Sequence, residues 1–579
     1  MTKYGPYLPI SKEVHATKYR GPGESFDDAM VRIAQALKDD DNHYWAFLDL
    51  LRRQAYMPAG RIQAAVGSPK IVTPYNCFVS GTIPDSMDGI MDRLKEAAQT
   101  LRMGGGIGYD FSTLRPRKSL ITTLDSEASG AVSFMEPFDA VCGTISSAGH
   151  RRGAQMAVLR VDHPDIEEYV ESKTNQHRFR NFNISVGVTD KFMLCLESGE
   201  PFPLVFEGKV HRYVDARALW DKIMRATWDW AEPGVLFLDT ANRMNNLWYC
   251  EHLAATNPCA EQWLPPYGAC LLGSYNLTQF LAFDHEGYYF DHAAFKASIP
   301  TVVRAMDNVI ERATYPLPQQ EYEAKAKRRM GIGVAGLANT LEVIGHPYGS
   351  EGFLLMEEVI LRTLANETYR ASALLAKEKG AFPLYDALQY PASEFILKLD
   401  EDVQDLILEY GIRNSHLTSI APTGTISLSA NNISSGIEPV FSHSYERTIN
   451  MPDGQRQELV QDWAVREHGV YGKTADQCSV DDHLNVLLVA QEWIDSSVSK
   501  TCNIGDNVTW EQFKDVYLRA YKGGAKGCTT FRASGKRFGI LNVVSEEAKV
   551  TEAQDEPEVE VVEGSACYYD PATGKKSCE

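Results

Sequence analysis

The chain has 579 residues, 44% of them hydrophobic, with a formal net charge of −20. A large core is therefore available, and an acidic chain without a basic stripe argues against duplex DNA or RNA as its main partner. The first twenty residues lack a secretory apolar region and no apolar run approaches a membrane span. Eleven cysteines in such a chain fit a reducing, cytoplasmic setting, bacterial or inside a virus-infected host.

Residues 1–70 are expected to be mainly helical. Within them SFDDAMVRIAQAL opens on a capping Ser25 with acids behind it, then carries apolar residues at helical spacing. From 71 to 540, short apolar runs alternate with longer amphipathic ones. RNFNISVGVTDKFM, FPLVFE, GVLFLDT and HLTSIAPTGTISL read as strands or strand–turn units. ALWDKIMRATWDWA, EEVILRTLANETYRASALLAKEKG and WEQFKDVYLRAYKGG read as helices. That alternation predicts an α/β protein with a largely parallel sheet or barrel. From about residue 541 the composition turns acidic and poor in aromatics, the pattern of a disordered tether. Its root-mean-square reach is roughly 25–30 Å by the coil-linker rule. The tail, 541–579, ends in CYYDPATGKKSCE, where Cys567 and Cys578 flank a Pro/Gly turn. The pair reads either as incidental composition or a weak metal site, or as a mobile dithiol that delivers electrons.

Four segments carry chemistry. YNCFVSGTIPDSMDGIMDRL places Cys77 at the start of an apolar strand, before a turn and a helix. LRMGGGIGYDFSTLRPR holds a glycine-rich turn that lets backbone approach a ligand closely, without the full dinucleotide fingerprint. NPCAEQWLPPYGACLLGSYNLT sets Asn257, Cys259 and Glu261 at alternate positions, with Cys270 eleven residues after Cys259. In an extended segment those three side chains share one face: an amide to hold hydroxyls, a sulfur and a base. No cysteine stands in a CxxC, so zinc is not indicated and no metal ligand is assigned. The bland alternative is a buried loop with satisfied polar groups. APTGTISLSANNISSGIEP places Thr423, Gly424, Thr425 and Ser427 in a turn after a strand, either a phosphate cradle or an ordinary capped turn.

Together, in this order, these motifs resemble the catalytic subunit of the ribonucleotide reductases, most closely the adenosylcobalamin-dependent class II branch. The resemblance spans roughly residues 70–540 and the tail. It implies a ten-stranded α/β barrel made of two parallel five-stranded halves set antiparallel, with a finger loop inside. It implies that Cys259 becomes a thiyl radical and takes the ribose 3′ hydrogen. Glu261 would take the 3′-OH proton and Asn257 would bind the ribose hydroxyls. Cys77 would protonate the departing 2′-OH, and Cys270 would close a disulfide with Cys77. Cys567 and Cys578 would reduce that disulfide, themselves recharged by a thioredoxin- or glutaredoxin-type reductant. Ala421, Pro422, Thr423, Gly424, Thr425 and Ser427 would bind the substrate phosphates. Asp85, with Arg151 or Arg152 of SSAGHRRGAQM, would bind a dNTP or ATP effector in a specificity region near 80–156. The two arginines also read as a plain surface pair.

The resemblance implies adenosylcobalamin as radical source for a further reason. Class I enzymes pass the radical from a partner subunit through two adjacent tyrosines, and AYKGGAKGCTTFRASGKR carries Cys528, Thr529 and Thr530 there. Tyr568-Tyr569 sits beside a tail cysteine and reads as chance. The chain is compact, without a recognisable ATP-cone at its N-terminus and without the Asp-x-His-x-x-Gly motif of other cobalamin enzymes. A class I-like large subunit needing a separate ferritin-like radical generator stays open, as does an inactive nucleotide-binding regulator on the same fold. A monomer and an effector-induced homodimer both fit.

Overall fold

The computed structural model describes residues 4–121, 125–147, 151–174, 178–451, 454–532 and 534–536, and two short strands at Tyr568–Asp570 and Lys575–Ser577. Five strands run parallel, each beside the next: Cys77–Val79, Gly106–Asp110, Gln155–Arg160, Phe182–Val188 and Gly234–Phe237. Their residues are buried almost throughout, as in a sheet covered on both faces. Helical crossovers make this possible, including Met87–Arg102, Ala131–Thr144 and Ala216–Trp230.

Each edge of this parallel block takes an antiparallel neighbour. Ala269–Cys270 lies beside Cys77–Val79, and Gly527–Arg532 lies beside Gly234–Phe237. Thr501–Ile504 then pairs parallel to Gly527–Arg532, completing an eight-stranded sheet. A second sheet has three strands: Tyr56–Pro58, Leu272–Asn276 and Gly331–Ala335. Only Leu271 separates Ala269–Cys270 from Leu272–Asn276, so one stretch of chain serves both sheets.

The α/β architecture with a dominant parallel sheet is therefore as expected. A single closed ten-stranded sheet is not formed among the described residues. Between Gly331–Ala335 and Thr501–Ile504 the pairing thins to isolated parallel bridges, Ile332 with Thr418 and Ile420 with Val498. Pro422, which has no N–H to donate, follows directly on that segment.

The N-terminal part is mainly helical: Pro9–Tyr19, Phe26–Leu37, Asp41–Arg52 and Gly60–Ala65. Ser25 caps Phe26–Leu37 in a full capping box with Asp28. This part is not detached from the rest, because Tyr56 pairs with Tyr275 and Pro58 with Gly273. Among the described residues, no helix is long and apolar enough to cross a membrane.

Candidate active site

The two thiols Cys77 and Cys270 stand directly opposite each other across the antiparallel pair. Directly opposed residues have Cα atoms about 4.5–5.5 Å apart, inside the span a disulfide accepts. Neither is in a disulfide. Cys77 keeps 8% exposure and Cys270 none, so solvent-borne groups reach the pair through Cys77. Burial pushes the Cys270 thiol well above its ordinary pKa, and the nearby Glu261, Cys77 and Cys259 add to that.

Glu261 and Cys259 come from a hairpin. Ala255–Thr256 pairs with Trp263–Leu264, and residues 257–262 form the tip. That tip is a tight turn, which corrects the extended segment expected from the sequence. The Asn257 N–H donates to the Gln262 carbonyl at 3.1 Å, and the Ala260 N–H donates to the Asn257 carbonyl at 3.0 Å. The Asn257 side-chain oxygen accepts from the Gln262 N–H at 3.0 Å, and Ala260 takes the left-handed conformation. The three side chains still converge, by turn closure instead of strand alternation. The Asn257 amide lies 3.9 Å from the Cys270 sulfur, with Glu261 and Cys259 also beside that thiol. Asn257, Cys259 and Glu261 are all buried.

Other elements hold the hairpin over the parallel sheet. Asn183 donates its amide to the Pro258 carbonyl at 2.9 Å, and the Ser419 hydroxyl donates to the Glu261 carbonyl at 2.8 Å. The glycine-rich turn makes room for the hairpin. A methyl on Gly108 would stand far inside contact distance of the Thr256 carbonyl oxygen. One on Gly106 would sit 3.2 Å from both the Cys77 sulfur and Pro258. These glycines leave space for the hairpin. Asn183, Ser419 and this use of glycine were not read from the sequence.

Residues 75–531 match the family model of the ribonucleotide reductase barrel domain. The chain belongs to the ribonucleotide reductase family. It is 33% identical over 575 residues to the vitamin B12-dependent ribonucleoside-diphosphate reductase of Mycobacterium tuberculosis, covering 92% of this chain and 78% of that one. The protein of the same name from Thermoplasma acidophilum is 33% identical over 513 residues, covering 83% of this chain and 64% of that one. The ribonucleoside-diphosphate reductase subunit alpha of Chlamydia muridarum is 25% identical over 593 residues, covering 87% and 56%.

Other residues singled out in this reductase sequence lie in three places. Ala421 and Pro422 lead into a six-residue helix, Gly424–Ser429, with Thr423 at its N-cap in the left-handed conformation. The Gly436 N–H donates to the Thr423 hydroxyl oxygen at 2.7 Å. Ser427 is fully buried; its hydroxyl donates to the Gly424 carbonyl and lies 2.9 Å from the Ser435 hydroxyl. Ser427 therefore braces the turn. Asp85 is held by Arg115, whose backbone N–H and side chain both donate to its carboxylate. Arg151 and Arg152 form a short strand paired with Ser146–Ser147. Cys567 and Cys578 lie outside the described residues, but the strands between them, Tyr568–Asp570 and Lys575–Ser577, pair antiparallel. Lys575–Ser577 also lies against the helix Gly424–Ser429.

Cys528, Thr529 and Thr530 lie on the strand Gly527–Arg532. Cross-strand partners share a face of a sheet. Gly108 pairs with Met156, Met156 with Asn183, Ser185 with Gly234, and Leu236 with Gly527. Gly527 and Thr529 therefore lie on the hairpin side. Cys528 and Thr530 are buried on the other, where Thr530 meets the Tyr517 hydroxyl at 2.8 Å.

Proposed function

We propose that this chain reduces ribonucleotides to deoxyribonucleotides with adenosylcobalamin as radical source. The observation that carries the reading is the meeting of the hairpin tip with the opposed thiol pair, through Asn257 and Cys270. Removing a ribose hydroxyl by radical chemistry needs a hydrogen-atom acceptor, a base and a two-electron thiol donor within one small space. Cys259, Glu261 and the pair Cys77–Cys270 supply these, all buried and grouped around the Cys270 thiol, which favours their mutual action.

In this reading Cys259 accepts the 3′ hydrogen atom while Glu261 takes the 3′-OH proton. Asn257 orients the ribose hydroxyls. Cys77 gives its proton to the departing 2′ oxygen, which leaves as water. Cys270 gives its hydrogen to the vacated 2′ carbon, Cys77 and Cys270 pass two electrons to the sugar in all as their disulfide forms, Glu261 returns its proton to the 3′ oxygen, and the 3′ hydrogen returns from Cys259. Cys567 and Cys578 restore the thiols by exchange, and the position of Lys575–Ser577 beside Gly424–Ser429 supports a tail that docks at the site. The turn Ala421–Ser427 would receive the phosphates through backbone N–H groups and Thr423 and Thr425. Asp85, Arg151 and Arg152 would bind the deoxynucleotide or ATP effector. The isolated bridges at Thr418 and Ile420 support closure of the two sheets into one ten-stranded barrel around the hairpin.

Cys528, Thr529 and Thr530, on the strand Gly527–Arg532, stand where class I enzymes carry their tyrosine pair, and none of the three can relay a radical as tyrosine does, which supports a cofactor as the radical source. Adenosylcobalamin, when bound, supplies the radical that reaches Cys259. The B12-dependent names of the Mycobacterium tuberculosis and Thermoplasma acidophilum relatives support this. The test is anaerobic turnover of the purified chain with ribonucleoside di- and triphosphates, a deoxynucleotide effector and dithiothreitol, with and without adenosylcobalamin. Product only with the cofactor is expected. Product without it, or only after adding a metal-containing partner subunit, overturns the assignment.

A further inference from the structure

Arg61 lies in the short helix Gly60–Ala65, and its guanidinium rests over Gly104, where a Cβ would stand 2.7 Å from its central carbon. Two residues further along the same chain, a Cβ on Gly106 would stand 3.2 Å from the Cys77 sulfur. The electrostatic neighbours of this guanidinium are Cys77 and Tyr19, and among the described residues no carboxylate pairs with it. Other arginines drawn into the interior are treated differently. Arg328 pairs with Asp307, and Arg329 with Glu251 and Glu323. A partly buried cation left without a carboxylate costs stability, which is tolerated where the charge has a task.

We propose that Arg61 is a positioning residue that makes Cys77, rather than Cys270, the acidic member of the thiol pair. This rests on the reading above. The charges facing the pair divide accordingly. Arg61 is a cation in the electrostatic neighbourhood of Cys77, and Tyr19 is its other such neighbour. Cys270 is enclosed by the finger tip, with Glu261 and Cys259 near it and no cation among its electrostatic neighbours. The asymmetry serves both halves of the cycle. A thiol beside a cation is the better proton donor to a departing hydroxyl. It is also the better leaving thiolate when the mixed disulfide between Cys77 and the tail is resolved. One tail thiolate attacks the Cys77 sulfur; the Cys77–Cys270 bond breaks, and Cys270 takes the electron pair and then a proton. The second tail thiolate attacks the first tail sulfur, and Cys77 leaves with the electron pair beside Arg61. The tail ends as a disulfide, having given two electrons.

The test is the pH dependence of iodoacetamide alkylation of the reduced full chain, read at the Cys77 and Cys270 peptides by mass spectrometry. In the wild type, Cys77 should ionise at lower pH than Cys270. Arg61→Gln should raise the Cys77 midpoint by about one pH unit or more, and Arg61→Lys should keep most of the effect. Arg61→Met, which retains the apolar stem, replaces Arg61→Gln if that variant does not fold. An unchanged Cys77 midpoint in the neutral variant overturns the proposal. So does a raised KM with no change in ionisation, which would make Arg61 a substrate ligand. The alkylation profile does not depend on turnover. An inactive wild type would therefore count against the functional reading, while the Cys77 midpoint would still decide the role of Arg61.

Discussion

The carbonyl oxygen of Thr256 fills the space that a side chain on Gly108 would need. The finger hairpin therefore crosses the parallel sheet at contact distance, and the sheet is bare at that point to admit it.

Gly108→Ala should be among the most damaging single-methyl additions in the chain. The clash is with backbone on both sides, so no side-chain rotation relieves it. We expect a loss of about 1–3 kcal/mol in denaturant unfolding. Turnover should fall further, because the displaced hairpin carries Cys259. Wild-type stability with full turnover would contradict this packing.

The opposed thiols make a sharp prediction about bond formation. One turnover without external reductant should leave a single new disulfide joining the Cys77 and Cys270 peptides, seen by non-reducing mass mapping. Cys77→Ser and Cys270→Ser should each stop multiple turnover. Cys259→Ser should give no product and no new disulfide; product from that variant would sink the mechanism.

Removal of residues 565–579 separates two sources of electrons. Turnover driven by thioredoxin should be lost, while turnover driven by dithiothreitol should persist. Equal thioredoxin-driven rates with and without the tail would remove Cys567 and Cys578 from the cycle.

Ser419→Ala deletes the hydrogen bond to the Glu261 carbonyl. The stability cost should be about 1 kcal/mol. kcat should fall more than KM rises, since the contact holds the tip and not the substrate. A pure KM effect would assign Ser419 to binding.

Glu342 provides a pH signature away from the chemistry. Burial raises its carboxyl to about 7, against backbone N–H donors from Lys473 and Tyr348 that favour the charged form. Its folded pKa exceeds its unfolded value near 4.5, so its contribution to stability is full below about pH 4.5 and is lost as pH rises through about 7. Glu342→Gln keeps the acceptor oxygen and should flatten that decline, leaving the variant more stable than wild type at pH 8, by roughly 3 kcal/mol at most. Parallel stability curves for the two proteins from pH 5 to 8 would refute the assignment.

Much of the site was legible because its residues come in contiguous motifs. The capping box at Ser25 and the long helix expected over 357–380 depend on local spacing; the box is formed, and the helix spans Glu351–Lys379 with Gly380 as its C-cap. Cys77 opening a strand before a helix was equally local. The extended reading of Asn257–Glu261 failed because the Asn257 side chain satisfies the Gln262 N–H and closes a turn, which alternation cannot anticipate. Asn183 and Ser419 were invisible because they reach the hairpin across 75 and 158 residues of sequence. The glycines at 106 and 108 were noticed, but what they make room for is set by the fold.

Cys259 is only 3% exposed at the hairpin tip. Sulfur-centred radicals are quenched by dioxygen and by any small hydrogen donor that reaches them. In the proposed mechanism Cys259 carries such a radical, so the enclosure around the tip would serve as insulation. How many cycles the chain completes before inactivation would depend on how rarely that enclosure opens. Mutations that loosen the anchors at Asn183 or Ser419 should shorten the working life of the catalyst even where the initial rate survives.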